Sequence, residues 1–356
     1  MSNQAAPTRH LAMGAIAAPD ERLAPLVSSV SSERIIGFDI VRAVAAIGVI
    51  WIHAGRSPFW NDHNLGPAGS WGTAFLNSLA GFFVVFALQR RADRGLLAFA
   101  GHRVWRVYGA FLVWSLLYLA ARGVNFVLFH KRSMIEWEWD LLFFGTTYHL
   151  WFLPYLLIIT LLTLPLVAWA LRSRPRMVGV SVLFVVAASA VLILPEPEML
   201  SRGREALPLF HLYSRAPGFF FGLAIGLWML AGFRPRVGIP HALVCAGIVA
   251  GCMYLSLTTE LPKHVLNRVA ATAAIMVAFA PWQGAVARWL ASMGTLGFGV
   301  YLCHVLFVEA FITVLTRAGV AQSFRVDLLV FVMDVVASFA FAWLMRRSKW
   351  LARLIP

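Results

Sequence analysis

Residues 34–55, RIIGFDIVRAVAAIGVIWIHAG, decide how the rest of the chain reads. From Ile35 to Ala54 the stretch is apolar except for Asp39, Arg42 and His53. A helix of about 20 such residues crosses the hydrocarbon of a bilayer. Ionisable side chains inside a span are costly, so each of the three asks for a partner or a function. Arg42 and His53 stand eleven positions apart, and at about 100° per residue that returns to nearly the same helix face, roughly three turns away. Asp39 lies three residues before Arg42, within pairing reach. One face of this helix therefore carries an acid–base pair near one end and an imidazole near the other.

The remaining composition extends that reading. Of 356 residues, 60% are apolar and only 13% charged, far from the soluble average. Apolar runs follow one another, separated by short charged segments, which predicts an all-α, polytopic bundle of about ten transmembrane helices. The spans fall near 35–54, 71–89, 104–121, 149–171, 177–194, 211–231, 238–257, 265–281, 295–315 and 327–345. The eighth is the weakest, being short and closed by Pro281. Residues 1–33 read as a disordered cytoplasmic tail, 34–346 as the membrane domain and 347–356 as a short basic cytoplasmic tail. No secretory leader is expected, because the first 30 residues are polar and mixed. Lys and Arg are in excess on the side that holds both termini, which predicts both in the cytoplasm and His53 at the outer mouth. The same bias accounts for the net charge of +14 without invoking nucleic acid. Cys245, Cys252 and Cys303 all fall in spans, so neither a disulfide framework nor a metal cluster is expected.

Four groups of residues carry candidate chemistry. His53 is either a helix-end histidine reaching for headgroups or a base that takes a proton from an acceptor hydroxyl; Arg42 and Asp39 on its helix favour the second. Arg103 and Arg106, three apart, suit one anion such as a phosphate-bearing cytosolic ligand. Their neighbours Arg90, Arg91 and Arg94 are explained by inside-positive sorting alone. Tyr148, His149 and Trp151 begin the fourth span at the depth of His53; an interfacial aromatic belt explains Tyr148 and Trp151 but not His149. In the ninth span Tyr301 and His304 share a face, while Glu309, five residues beyond His304, cannot squarely face the same pocket. A hydrogen bond from His304 to a neighbouring helix is the plainer alternative, and Glu309 demands a partner. Asp327 and Asp334 read as structural polar contacts. Phosphate-cradling glycine loops, HExxH and GxSxG are absent.

At these residues the sequence resembles acyltransferase family 3, the bacterial integral membrane O-acyltransferases of cell-surface sugars. The resemblance rests on Gly37-Phe38-Asp39 leading to Arg42 and, after ten residues, His53, and on His102-Arg103-Val104-Trp105-Arg106. Tyr148-His149-Leu150-Trp151 and Tyr301-Leu302-Cys303-His304 add to it, and the likeness runs from about 34 to 345. Leu79-Ala80-Gly81-Phe82 lacks the serine common before the glycine, and His102 stands where a second arginine is common. The family implies an integral inner-membrane, multi-pass bacterial enzyme. It would move an acyl group, commonly acetyl from acetyl-CoA, to a hydroxyl of a cell-surface or lipid-linked saccharide at the outer face. On that basis His53, Arg42 and Asp39 are the expected catalytic residues and Arg103 and Arg106 the expected contacts of acyl-CoA. His149, Tyr148, Trp151, Tyr301, His304 and Glu309 are the expected saccharide contacts, with no metal and no nucleic acid involved. No soluble esterase-like domain is expected after the tenth span. The competing reading is a transporter or flippase for a glycolipid or small anion, which would use the same charges as transport sites. Repeated halves, the signature that would favour it, are not evident in the sequence.

Overall fold

The computed structural model describes residues 35–91, 95–129, 141–147, 149–193, 207–233, 235–349 and 351–354. The predicted tail 1–33 lies outside them, as does most of the connection 195–210. Among the described residues every regular element is helical. In chain order these are α1 (Ile36–Ala54), a short α2 (Pro58–Asp62), α3 (Ser70–Gln89), α4 (Leu96–Phe129) and a short α5 (Leu141–Phe144). Then come α6 (Phe152–Ala170), α7 (Arg174–Ile193), α8 (Leu207–Leu230), α9 (Ile239–Thr258) and α10 (Lys263–Ala278). The chain closes with α11 (Gly284–Gly294), α12 (Gly297–Arg317) and α13 (Phe324–Arg347).

Eight of these, α1, α3, α4, α6, α7, α9, α12 and α13, are long and apolar enough to cross a membrane. The other two predicted crossings are helices as well, α8 over 211–230 and α10 over 265–278. With 16 residues, α10 is shorter than the roughly 20 a full crossing takes. Large apolar side chains, among them Leu116, Leu162, Val182, Leu243 and Val336, stand exposed on the outer faces. That is the surface a hydrocarbon solvent requires. The chain is a polytopic helical membrane bundle.

Two boundaries differ from expectation. The third span is part of a 34-residue helix, because LAARGVNFVLF after position 118 contains no proline and continues the helical run. The predicted connection 282–294 is largely the helix α11. Its Ala287, Ala291 and Gly294 recur at helical spacing and are buried, a pattern too short and too Ala-rich to register as apolar periodicity.

The first helix is the centre of the packing, touching α3, α10, α11, α12 and α13. Its far end is tied down by Asp327 of α13, which is buried and accepts from the backbone N–H groups of Arg56 (3.0 Å) and Ser57 (3.1 Å) and from the Ser57 hydroxyl. Ser57 also caps α2 by accepting from the Trp60 N–H, with Pro58 following at the first helical position. Asp334, one face-repeat later, accepts from Ser338 at 2.7 Å. Both aspartates make the structural contacts expected of them.

Without a hydrophobic force between helices, close approach in lipid relies on small residues. At the crossing of α3 and α8 a Cβ on Gly222 would lie 1.8 Å from the Ser78 carbonyl oxygen. Gly222→Val should therefore force the two helices apart at a cost of about 1–3 kcal/mol. A lower apparent melting temperature of the purified protein would report it, and an unchanged one would show that the helices are not this close.

Candidate functional site

The site has two centres joined through one tyrosine. The first is a cavity of about 370 Å³ near the start of α1, lined by Arg42, by Arg103 and Arg106 of α4, by Leu79, Ala80 and Phe83 of α3, and by Phe152 and Tyr301. Arg42 reaches it from α1 with one amino group 2.9 Å from the Asp39 carboxylate and its guanidinium 5.4 Å from the centre of the Phe83 ring. Asp39 is itself buried, and the C-terminus of α11 closes over its backbone. A Cβ at Gly294 would lie 1.7 Å from the Asp39 carbonyl oxygen. The pair expected from the spacing is thus formed, and it is pinned from both sides.

Arg103 and Arg106 sit inside α4 rather than at its start, because that helix begins at Leu96. Arg106 is exposed at the mouth, whereas the Nε of Arg103 is buried without a hydrogen-bond partner among the described residues. A buried guanidinium N–H left unmatched is costly. Three guanidinium groups line this cavity and, among the described residues, no carboxylate does. The arrangement can hold a phosphate-type anion, which arginine matches with paired N–H donors. Ala80, where the resembled family commonly has a serine, presents only a methyl group to the same wall.

The second centre is a cluster of three imidazoles from three elements. His53 comes from the last turn of α1, His149 from the turn before α6, and His304 from the middle of α12. The His304 ring lies 5.3 Å from that of His53 and 5.1 Å from that of His149, centre to centre. His304 is fully buried, and its Nδ1 lies 2.8 Å from the Tyr301 carbonyl and 3.2 Å from the Val300 carbonyl. Carbonyls only accept, so Nδ1 carries the proton and Nε2 is left as the basic nitrogen, buried without a hydrogen-bond partner among the described residues. The Nδ1 hydrogen bonds stay within α12, to the preceding turn.

Tyr301 links the two centres. It lines the arginine cavity, its ring centre is 5.5 Å from His149, and its hydroxyl donates to the His149 carbonyl. Phe152, on the cavity wall, packs 5.5 Å from the same ring. Tyr118 of α4, which the sequence does not single out, sits edge-on to His149 at 5.2 Å and donates to the Leu302 carbonyl at 2.8 Å. No sequence signal marks it, since tyrosine within a span is most simply packing.

Other candidates lie elsewhere. Glu309 finds its partner in Arg56, 2.8 Å away, and both side chains are about half exposed. That partner, Arg56, follows His53 by three residues. Trp151 turns from the cluster toward Arg215 of α8, whose guanidinium is 5.8 Å from its ring centre. Tyr148 lies outside the described residues. Among the described residues no group of three or more His, Cys, Asp or Glu side chains is arranged to hold a metal ion.

The Tyr301 hydroxyl is the tie between the α12 and α6 segments of this site. Tyr301→Phe leaves the buried His149 carbonyl short of a donor and should destabilise by about 1–3 kcal/mol. A fall in the apparent melting temperature checks it, and full retention would remove the phenol from this role.

Residues 35–347 match the family model described as an acyltransferase domain, that of acyltransferase family 3. No curated protein and no solved structure matches the chain.

Proposed function

The chain belongs to acyltransferase family 3 and is a membrane acyltransferase; from that premise we propose that it is an O-acyltransferase with a cytosolic acyl-CoA donor and a saccharide acceptor at the opposite face. The observation that carries the reading is the pairing of an arginine-lined cavity at the start of α1 with a buried imidazole cluster at its end, joined through Tyr301. Eleven residues of helix separate Arg42 from His53, a rise of roughly 16 Å.

With both termini on the cytoplasmic side, as the Lys and Arg distribution favours, the cavity opens to the cytosol and the imidazoles lie toward the outer face. The phosphates of acyl-CoA, acetyl-CoA being the simplest donor, bind Arg42, Arg103 and Arg106. Asp39 holds Arg42 in its rotamer. The thioester end extends past Tyr301 toward the histidines. There a hydroxyl of a cell-surface or lipid-linked saccharide loses its proton to His53. Its oxygen attacks the thioester carbonyl; the new C–O bond forms as the C–S bond breaks, and the proton ends on the departing thiolate. His304, with Nε2 unprotonated, and His149 keep the neighbourhood of His53 polar yet without added positive charge, which leaves the His53 imidazole able to accept a proton. His149, Trp151 and Tyr301 contact the sugar in this reading, as does Glu309 beside Arg56; Tyr148, outside the described residues, is a further candidate.

His53→Ala should abolish acylation, with insertion into the membrane unchanged; mass spectrometry of acceptor glycan from cells carrying each form reads the outcome. Wild-type acylation by that variant would remove His53 as the base. Arg103→Ala should raise the KM for acetyl-CoA about tenfold or more, the value of one charge-assisted contact, while leaving acceptor dependence unchanged. Saccharide translocation by the reconstituted protein without acyl-CoA would instead favour a flippase.

A further inference from the structure

A second basic cavity lies away from the donor site, at the end of the bundle where α1 terminates. It has a volume of about 220 Å³ and is formed by the N-terminal halves of α3, α8 and α10. Arg215 and Arg268 line it together with Asn77, Ser214, His264 and Asn267, among other residues, and among the described residues no carboxylate contributes. Neither Arg215 nor Arg268 forms an ion pair among the described residues; each is set in a helix packed inside the bundle.

The cavity is left chemically incomplete. Asn77 is only 2% exposed. Its amide nitrogen donates to the Arg215 carbonyl at 2.6 Å, and its side chain meets the buried Tyr155 hydroxyl. Ser214 Oγ and Arg215 Nε are buried without a hydrogen-bond partner among the described residues. Arg268 spends one amino group on the Ser214 carbonyl. Two guanidinium groups and a hydroxyl therefore converge with spare donors on one small space. Burying cationic donors without a counter-charge costs several kcal/mol. An anion in the cavity removes that cost.

The cavity also adjoins the imidazole cluster through one short segment. Trp151 lies under the Arg215 guanidinium, its ring 5.8 Å from that of Tyr155, and His149 precedes it by two residues.

We propose that this cavity, through Arg215, Arg268, Ser214 and Asn77, binds an oxyanion of the acceptor, so that the enzyme takes acidic saccharides. The inference rests on the acyl-transfer reading for what the bound molecule becomes, but not for its binding. The oxyanion is either a carboxylate on the sugar or the phosphate that links a saccharide to its lipid carrier.

The test is a titration of purified full-length protein in nanodiscs of zwitterionic lipid, without acyl-CoA, following tryptophan fluorescence. Glucuronate, inorganic diphosphate and glucose serve as probes. Saturable binding of glucuronate identifies the carboxylate source and saturable binding of diphosphate the phosphate source, with glucose inert in either case. Arg215→Gln and Arg268→Gln should each weaken the anion by about tenfold or more. Acetyl-CoA binding by each variant, measured in parallel, should stay at the wild-type value and shows that it has folded. No preference for either anion over glucose, or wild-type affinity in both folded variants, overturns the proposal. Because no donor is present, such a failure leaves acyl transfer standing. Anion binding by a protein that never consumes acetyl-CoA would uphold the cavity and remove the transfer reaction instead.

Discussion

An arginine inside a bundle surrounded by hydrocarbon is tolerated only where a counter-charge, a ring face or a water-accessible cavity receives its guanidinium. Arg42 has all three: the Asp39 carboxylate, the Phe83 ring and the cavity it shares with Arg103 and Arg106. That requirement shapes its surroundings. The C-terminus of α11 must close on the Asp39 backbone, and α3 must approach near enough for Phe83 to lie beside Arg42. With α1 held at that level, its last turn brings His53 against His304 of α12. The two centres of the site are thus consequences of how one helix is seated.

The other end of α1 is seated by a different device. Asp327 takes the backbone N–H groups of Arg56 and Ser57 together with the Ser57 hydroxyl. A buried carboxylate that accepts several N–H and O–H donors is satisfied without a cation. The level of His53 is therefore set by α13, while its ring neighbour His304 comes from α12. Arg56 and Glu309 add a half-exposed pair above this, which contributes little to stability.

How much of this was legible in the residues depends on whether a contact lies within one helix or between two. The Asp39–Arg42 pair and the shared face of Tyr301 and His304 follow from helical spacing, and both are present. That Glu309 needs a partner followed from the cost of a carboxylate in a span. That the partner is Arg56 did not, because Arg56 belongs to the turn after α1. The meeting of His53, His149 and His304 is a matter of helix packing, about which periodicity is silent. The place of Tyr118 and the Arg215–Arg268 cavity are silent in the sequence for the same reason. The α11 helix leaves no trace in periodicity because its buried face is alanine and glycine, which carry little hydropathy signal.

In the proposed mechanism donor and acceptor meet along the axis from Arg42 through Tyr301 to His53. The decisive measurement is an experimental structure of the full chain with a non-hydrolysable thioether analogue of acetyl-CoA. The analogue's phosphates should lie against Arg42, Arg103 and Arg106, with its acyl end beyond Tyr301 beside the His53 and His304 rings. An analogue bound with its phosphates elsewhere, or with its acyl end remote from all three histidines, would contradict it.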